Sequence, residues 1–138
     1  MRAYISHAIR GKSGPDATDE ERKKNSDKAI TFGNVLRKEF SNVDFYVPGE
    51  HYEIDTISYR KGYMTEEQIL DIDCEIISRC NFMVVFAPDD YIGGGMQIEV
   101  DYCVVNSIPV ISAVDGSYDE YVKRIIYAIN CHLTSMMR

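Results

Sequence analysis

The chain has 138 residues, 45% hydrophobic and 27% charged, which is the size and balance of one soluble globular domain and excludes a disordered or fibrous chain. Its formal net charge of -7, with Lys and Arg scattered rather than gathered in a stripe, argues against a nucleic acid polymer as partner. No apolar run approaches the roughly 18 residues that a bilayer span needs, and Met1 leads directly into a strand-like segment, so no membrane partner and a cytoplasmic location are expected.

In chain order, Ala3 to Ser6 reads as a first strand, followed by a turn rich in Gly, Ser and Pro from Gly11 to Pro15. From Thr18 to Phe40 the apolar residues Ala29, Ile30, Phe32, Val35 and Leu36 recur at helical spacing. Val43 to Val47 predicts a second strand, ended by Pro48-Gly49. Residues 48 to 64 show no clear period, and a connection of that length is expected to be a functional lid or binding loop. Thr65 and Gln68 have the spacing of a capping box, which predicts a helix to about Arg79. Phe82 to Ala87 is unbroken apolar sequence, as a central parallel strand covered on both faces requires. After Gly93-Gly94-Gly95 follow a helix from about Met96 to Asn106, a strand from Ile108 to Ala113, and an amphipathic helix from about Tyr118 to His132.

Strands alternating with helices imply one domain over residues 1–138, built on a parallel sheet with right-handed crossovers. Ligands of such sheets bind at the carboxyl ends of the strands, where the winding reverses. That gathers the loops after Ser6, Val47, Ala87 and Ala113. The four cysteines form no C-x-x-C pair, so neither structural zinc nor a disulfide framework is expected.

Two carboxylates stand out. Asp73 follows Ile69 by four residues and precedes Ile76 and Ile77 by three and four, so it lies on or beside the apolar stripe of its helix. Burying a bare charge costs several kcal/mol, which makes Asp73 either a paired boundary residue or a working one. Glu99 is expected in the first turn of a helix entered through three glycines, where free N–H groups favour a negative charge. It reads as an ordinary helix-start Glu or, because glycines let a ligand approach the backbone, as a nucleophile. Two such groups at one sugar suffice for retaining glycosyl chemistry.

Ser6 to Ser13 ends in Gly-Lys-Ser like a phosphate-binding P-loop, but Ser6 stands where the first glycine is required. Arg10 and Lys12 could instead meet an anionic group or form a solvated turn. His7 either lines the site after the first strand or is a surface turn residue. His7, His51 and His132 have no metal-ligand spacing, and neither a metal nor a cofactor is expected.

Taken together, Tyr4-Ile5-Ser6-His7-Ala8-Ile9-Arg10-Gly11, Asp73 eight residues before Asn81, and Gly93-Gly94-Gly95-Met96-Gln97-Ile98-Glu99 with Pro109-Val110 ten residues on resemble the nucleoside 2-deoxyribosyltransferases and related nucleoside 5'-monophosphate N-glycosidases. The resemblance spans about residues 3 to 112. It implies an α/β flavodoxin-like (Rossmann-like) three-layer sandwich with a parallel sheet of four or five strands. It also implies a covalent glycosyl-Glu99 intermediate, Asp73 assisting proton transfer or sugar contacts, and Tyr4 near the nucleophile. Ser6, His7, Ile9, Arg10, Gly11 and Gly93 to Gly95 become the residues expected to bind a small-molecule nucleoside or nucleotide, in a homodimer or larger homo-oligomer. The glycine-rich turn lacks the serine that the phosphate-binding hydrolases tend to carry there. Tyr4 to Ala8 also looks like the opening of TIR domains, which implies a TIR-like NAD glycohydrolase as an alternative. A non-catalytic nucleotide-binding module on the same sheet is a third reading.

Overall fold

The structure, a computed structural model, describes residues 1–113 and 116–137. Its sheet has four parallel strands in the order β2-β1-β3-β4: β1 is Arg2–His7, β2 Asp44–Tyr46, β3 Phe82–Phe86 and β4 Val110–Ile111. Among the described residues five α-helices accompany it: α1 (Asp19–Glu39), α2 (Tyr52–Arg60), α3 (Glu66–Ser78), α4 (Gly94–Val105) and α5 (Tyr118–Met136). This is the flavodoxin-like α/β arrangement, with the winding reversing between β1 and β3. The loop expected after Ala113 falls on residues 114 and 115, outside the described residues.

Successive side chains of a strand point to opposite faces, and that alternation divides the core in two. Ala3 and Ile5 of β1 with Phe82, Val84 and Phe86 of β3 pack against Phe32 and Leu36 of α1 and Ile125 and Ile129 of α5. On the opposite face Tyr4, Met83 and Val85 pack against Ile77 of α3 and Met96 and Cys103 of α4. Helix α1 lies close to the sheet because Gly33 faces Val47; an added Cβ there would come within 2.6 Å of the Val47 side chain.

Helix ends follow their local chemistry. Thr65 and Gln68 form the expected reciprocal capping box, and the Thr18 and Ser117 side chains accept from Glu21 and Glu120 N–H to start α1 and α5. Helix α4 ends in a Schellman turn: Ile108 N–H donates to Cys103 O at 2.8 Å and Ser107 N–H to Val104 O at 3.3 Å.

Three expectations are corrected. Residues 48 to 64 are not an aperiodic loop but a 3-10 turn (Pro48–His51) followed by α2. No residue of α2 is fully buried and no side chain caps its start, so the usual marks of a helix are missing from that segment. The fourth strand is confined to Val110–Ile111 because the Schellman turn still holds Ile108. Helix α4 begins at Gly94, two residues earlier than expected.

Ser107 carries the turn at φ 57°, a left-handed conformation that costs a side chain with a Cβ more than glycine. Ser107→Gly is expected to raise stability by roughly 0.5–1 kcal/mol, after the greater backbone freedom of glycine in the unfolded chain offsets part of the gain. Thermal unfolding of the two proteins side by side checks this.

Candidate active site

Because Tyr4 and Ser6 are two residues apart on β1, their side chains share the face covered by α3 and α4. Across that face stands Glu99, 5% exposed. Tyr4 Oη donates a short hydrogen bond to Glu99 Oε2, and Ser6 Oγ donates to Oε1 at 2.8 Å. Both carboxylate oxygens are therefore held, which is the condition for keeping a charge in a buried place.

Glu99 is the sixth residue of α4, not a member of its first turn. The free N–H groups at the helix start lie behind it, so strand hydroxyls and not the helix terminus fix the carboxylate. The three glycines are likewise not a loose bend: Gly93 is the N-cap, in extended conformation, and Gly94 and Gly95 open the helix.

Asp73 is half-buried on α3. Burial, then the charge of Glu99, then that of Asp55 push its carboxyl up to about 7. Glu99 is also raised by burial, while the hydrogen bonds from Tyr4 and Ser6 act in the opposite direction. Those two donors favour the anion on Glu99, whereas among the described residues the influences on Asp73 are burial and like charge. Burial beside the Glu99 charge thus favours the protonated form of Asp73. Tyr4 keeps its own proton, since burial and the nearby carboxylates of Glu99 and Asp73 hold its pKa well above the usual phenol value.

Four further groups that the sequence did not mark as site residues join this cluster. Tyr46 is the register partner of Tyr4 across β1 and β2, and the two rings stack at 5.6 Å. His51 also stacks on Tyr46, at 5.1 Å, and Arg2 lies over the same ring at 5.4 Å. Burial, Asp73 and Asp55 push Tyr46 up to about 12. Asp55, half-buried on α2, is raised by its burial. An aromatic residue at the carboxyl end of β2 was a usable signal; Asp55 was hidden because α2 itself was not recognised.

The residues expected around the first strand divide by role. His7 is buried; its Nε2 accepts from Gly49 N–H at 2.9 Å, which leaves Nδ1 to donate to Ala8 O at 3.1 Å. Burial lowers its pKa to about 4, so it is a neutral clasp between β1 and the turn at Pro48–His51. Ile9 O accepts from the Asn25 amide at 2.9 Å. Gly11 adopts φ 65° with the same amide 3.0 Å from where a Cβ would stand. Arg10 forms an ion pair with Glu66 at the start of α3.

Two cavities stand out among the described residues. One of about 720 Å³ lies on the α1 and α5 side, with Lys24, Lys28, Phe86 and Tyr118 in its lining. The other, about 330 Å³, is bordered by Glu50, His51, Glu53, Ile54 and Ile57. Tyr4, Asp73 and Glu99 line neither. Among the described residues no cluster of three potential metal ligands occurs, and no helix is long and apolar enough to cross a membrane. No family model, curated protein or solved structure matches the chain.

The raised pKa of Asp73 has a consequence for stability. A carboxyl at 3.8 when unfolded and about 7 when folded binds more protons in the native state, so its contribution is intact below about pH 4 and is lost as pH rises to 7. Asp73→Asn is expected to raise the thermal midpoint relative to the parent at pH 8 and to leave the two proteins close together at pH 4. Equal differences at the two pH values would contradict the assignment.

Proposed function

We propose that the chain cleaves the N-glycosidic bond of a (deoxy)nucleoside or nucleoside 5'-monophosphate and passes the sugar to another base or to water. The observation that carries this reading is the Glu99 carboxylate, buried yet held at both oxygens by Tyr4 and Ser6, with Asp73 beside it titrating near neutrality.

In this reading Glu99 attacks the anomeric carbon. As the new C–O bond forms, the C–N bond breaks and its electron pair goes to the base nitrogen, which takes the proton of Asp73. The Asp73 carboxylate then accepts a proton from the incoming water or base. That acceptor displaces Glu99 from the sugar, and both acids return to their starting states. Tyr4 and Ser6 orient the nucleophile and stabilise its charge before and after the covalent step. Ile72, Ile98, Val104 and Val105 are exposed on α3 and α4, which supports a homo-oligomer in which a second copy covers this face and closes the site.

Chromatography after mixing the protein with each nucleoside and its 5'-monophosphate, with and without a second base, should reveal free or exchanged base. Glu99→Gln is expected to lower kcat by about a thousandfold or more, as loss of a nucleophile does, while ligand binding persists. Binding with no base release from the parent would instead favour a non-catalytic nucleotide module. Release of nicotinamide from NAD, with nucleosides untouched, would favour the TIR-like reading.

The pH profile supplies a second check. Glu99 must be ionised and Asp73 protonated, so kcat/KM should fall on the alkaline side as Asp73 ionises at about 7. Asp73→Asn should lower the rate and abolish that alkaline limb; a limb that survives unchanged would assign the proton donor elsewhere.

A further inference from the structure

Charge around Glu99 is one-sided. Tyr4 and Ser6 act on its carboxylate, Glu99 and Asp55 act on Asp73, and none of these groups is cationic. The loop after β1 brings Arg10, but its guanidinium is already paired with the Glu66 carboxylate. Glu66 is the first residue of α3 and Asp73 the eighth, so the two share a face of the helix about 10 Å apart. Arg10 is thus held at one end of the helix that carries the proton donor.

The neighbouring side chains of Ser6, His7 and Asn25 are committed, whereas Lys12 stands exposed on the turn that follows. Ser6 Oγ is given to Glu99, both His7 ring nitrogens are engaged within the fold, and the Asn25 amide is bonded to Ile9 O. Gly93 to Gly95 carry no side-chain hydroxyl. A 5'-phosphate would reach Arg10 only by displacing Glu66, and the displaced carboxylate would then stand beside the phosphate dianion. We propose that Glu66 is a specificity-determining residue: by occupying Arg10 it makes the site prefer an uncharged (deoxy)nucleoside to the corresponding 5'-monophosphate. This rests on the glycosyl-transfer reading given above. The N–H groups opening α4, which no side chain caps, remain available to an anion and limit the discrimination.

Titration calorimetry on the Glu99→Gln protein, with the common 2'-deoxynucleosides and their 5'-monophosphates as ligands, separates binding from turnover. The deoxynucleoside is expected to bind about tenfold more tightly than its monophosphate, the scale of one charge-assisted contact. Adding Glu66→Gln, which keeps the capping box of Thr65 and Gln68, should tighten the monophosphate by about tenfold and leave the deoxynucleoside nearly unchanged. Adding Arg10→Gln to that pair should remove the gain. Preferred binding of the monophosphate before Glu66 is changed, an unchanged ratio after it, or a gain that survives loss of Arg10 would each overturn the proposal. No binding of either ligand would overturn it together with the function it rests on. The expected binding pattern without base release from the parent chain would overturn the glycosidase reading alone.

Discussion

A carboxylate can be kept away from water only where donors replace the water it loses, and the face of the sheet beneath α3 and α4 is organised by that constraint. Glu99 meets it with two hydroxyls from one strand, Tyr4 Oη and Ser6 Oγ. The requirement fixes which face of β1 must turn toward α4. The same two donors favour the anion on Glu99, and its charge, after burial, helps to push the Asp73 carboxyl up to about 7.

Folding moves protons in two directions within the same pH window. Asp73 is pushed up to about 7 and His7 down to about 4. Above pH 6.5 the neutral His7 clasp costs nothing in protonation, and its contribution is lost as pH falls toward 4. Asp73 behaves in the opposite sense, losing its contribution as pH rises over much the same range. In net terms folding exchanges a histidine proton for a carboxyl proton, so these two opposed burials largely cancel in charge.

What could be read in the sequence was what is local. The apolar run of β3, the helical spacing in α1 and the Thr65–Gln68 box each act over a few residues, and each element lies where it was expected. The wound parallel sheet followed from their alternation. Segment 48–64 resisted because α2 buries no residue fully and lacks a side-chain cap, so it carries neither stripe nor boundary. The start of α4 was misplaced because three successive glycines disfavour a helix by propensity, yet the fold begins one there. In the candidate site, residue spacing marked Asp73 and Glu99 as unusual. It could not join Glu99 to Tyr4, 95 positions away; that pairing was suggested by resemblance and has its contact in the fold. Tyr46 and Asp55 were missed because their part depends on strand register and on an unrecognised helix.

The alternation along β1 leaves little freedom for insertion or deletion. Loss of one residue from that strand would turn Ala3, Ile5 and His7 toward α4 and send the tyrosine and serine hydroxyls into the layer against Phe32 and Leu36. Glu99 would then face hydrocarbon, and two hydroxyls would be stranded among aromatic and aliphatic side chains. A change of length is far better accommodated in the turn at Gly11–Asp16 than in the six residues of β1, because in that strand the geometry that seals the core and the geometry that holds the acid are the same.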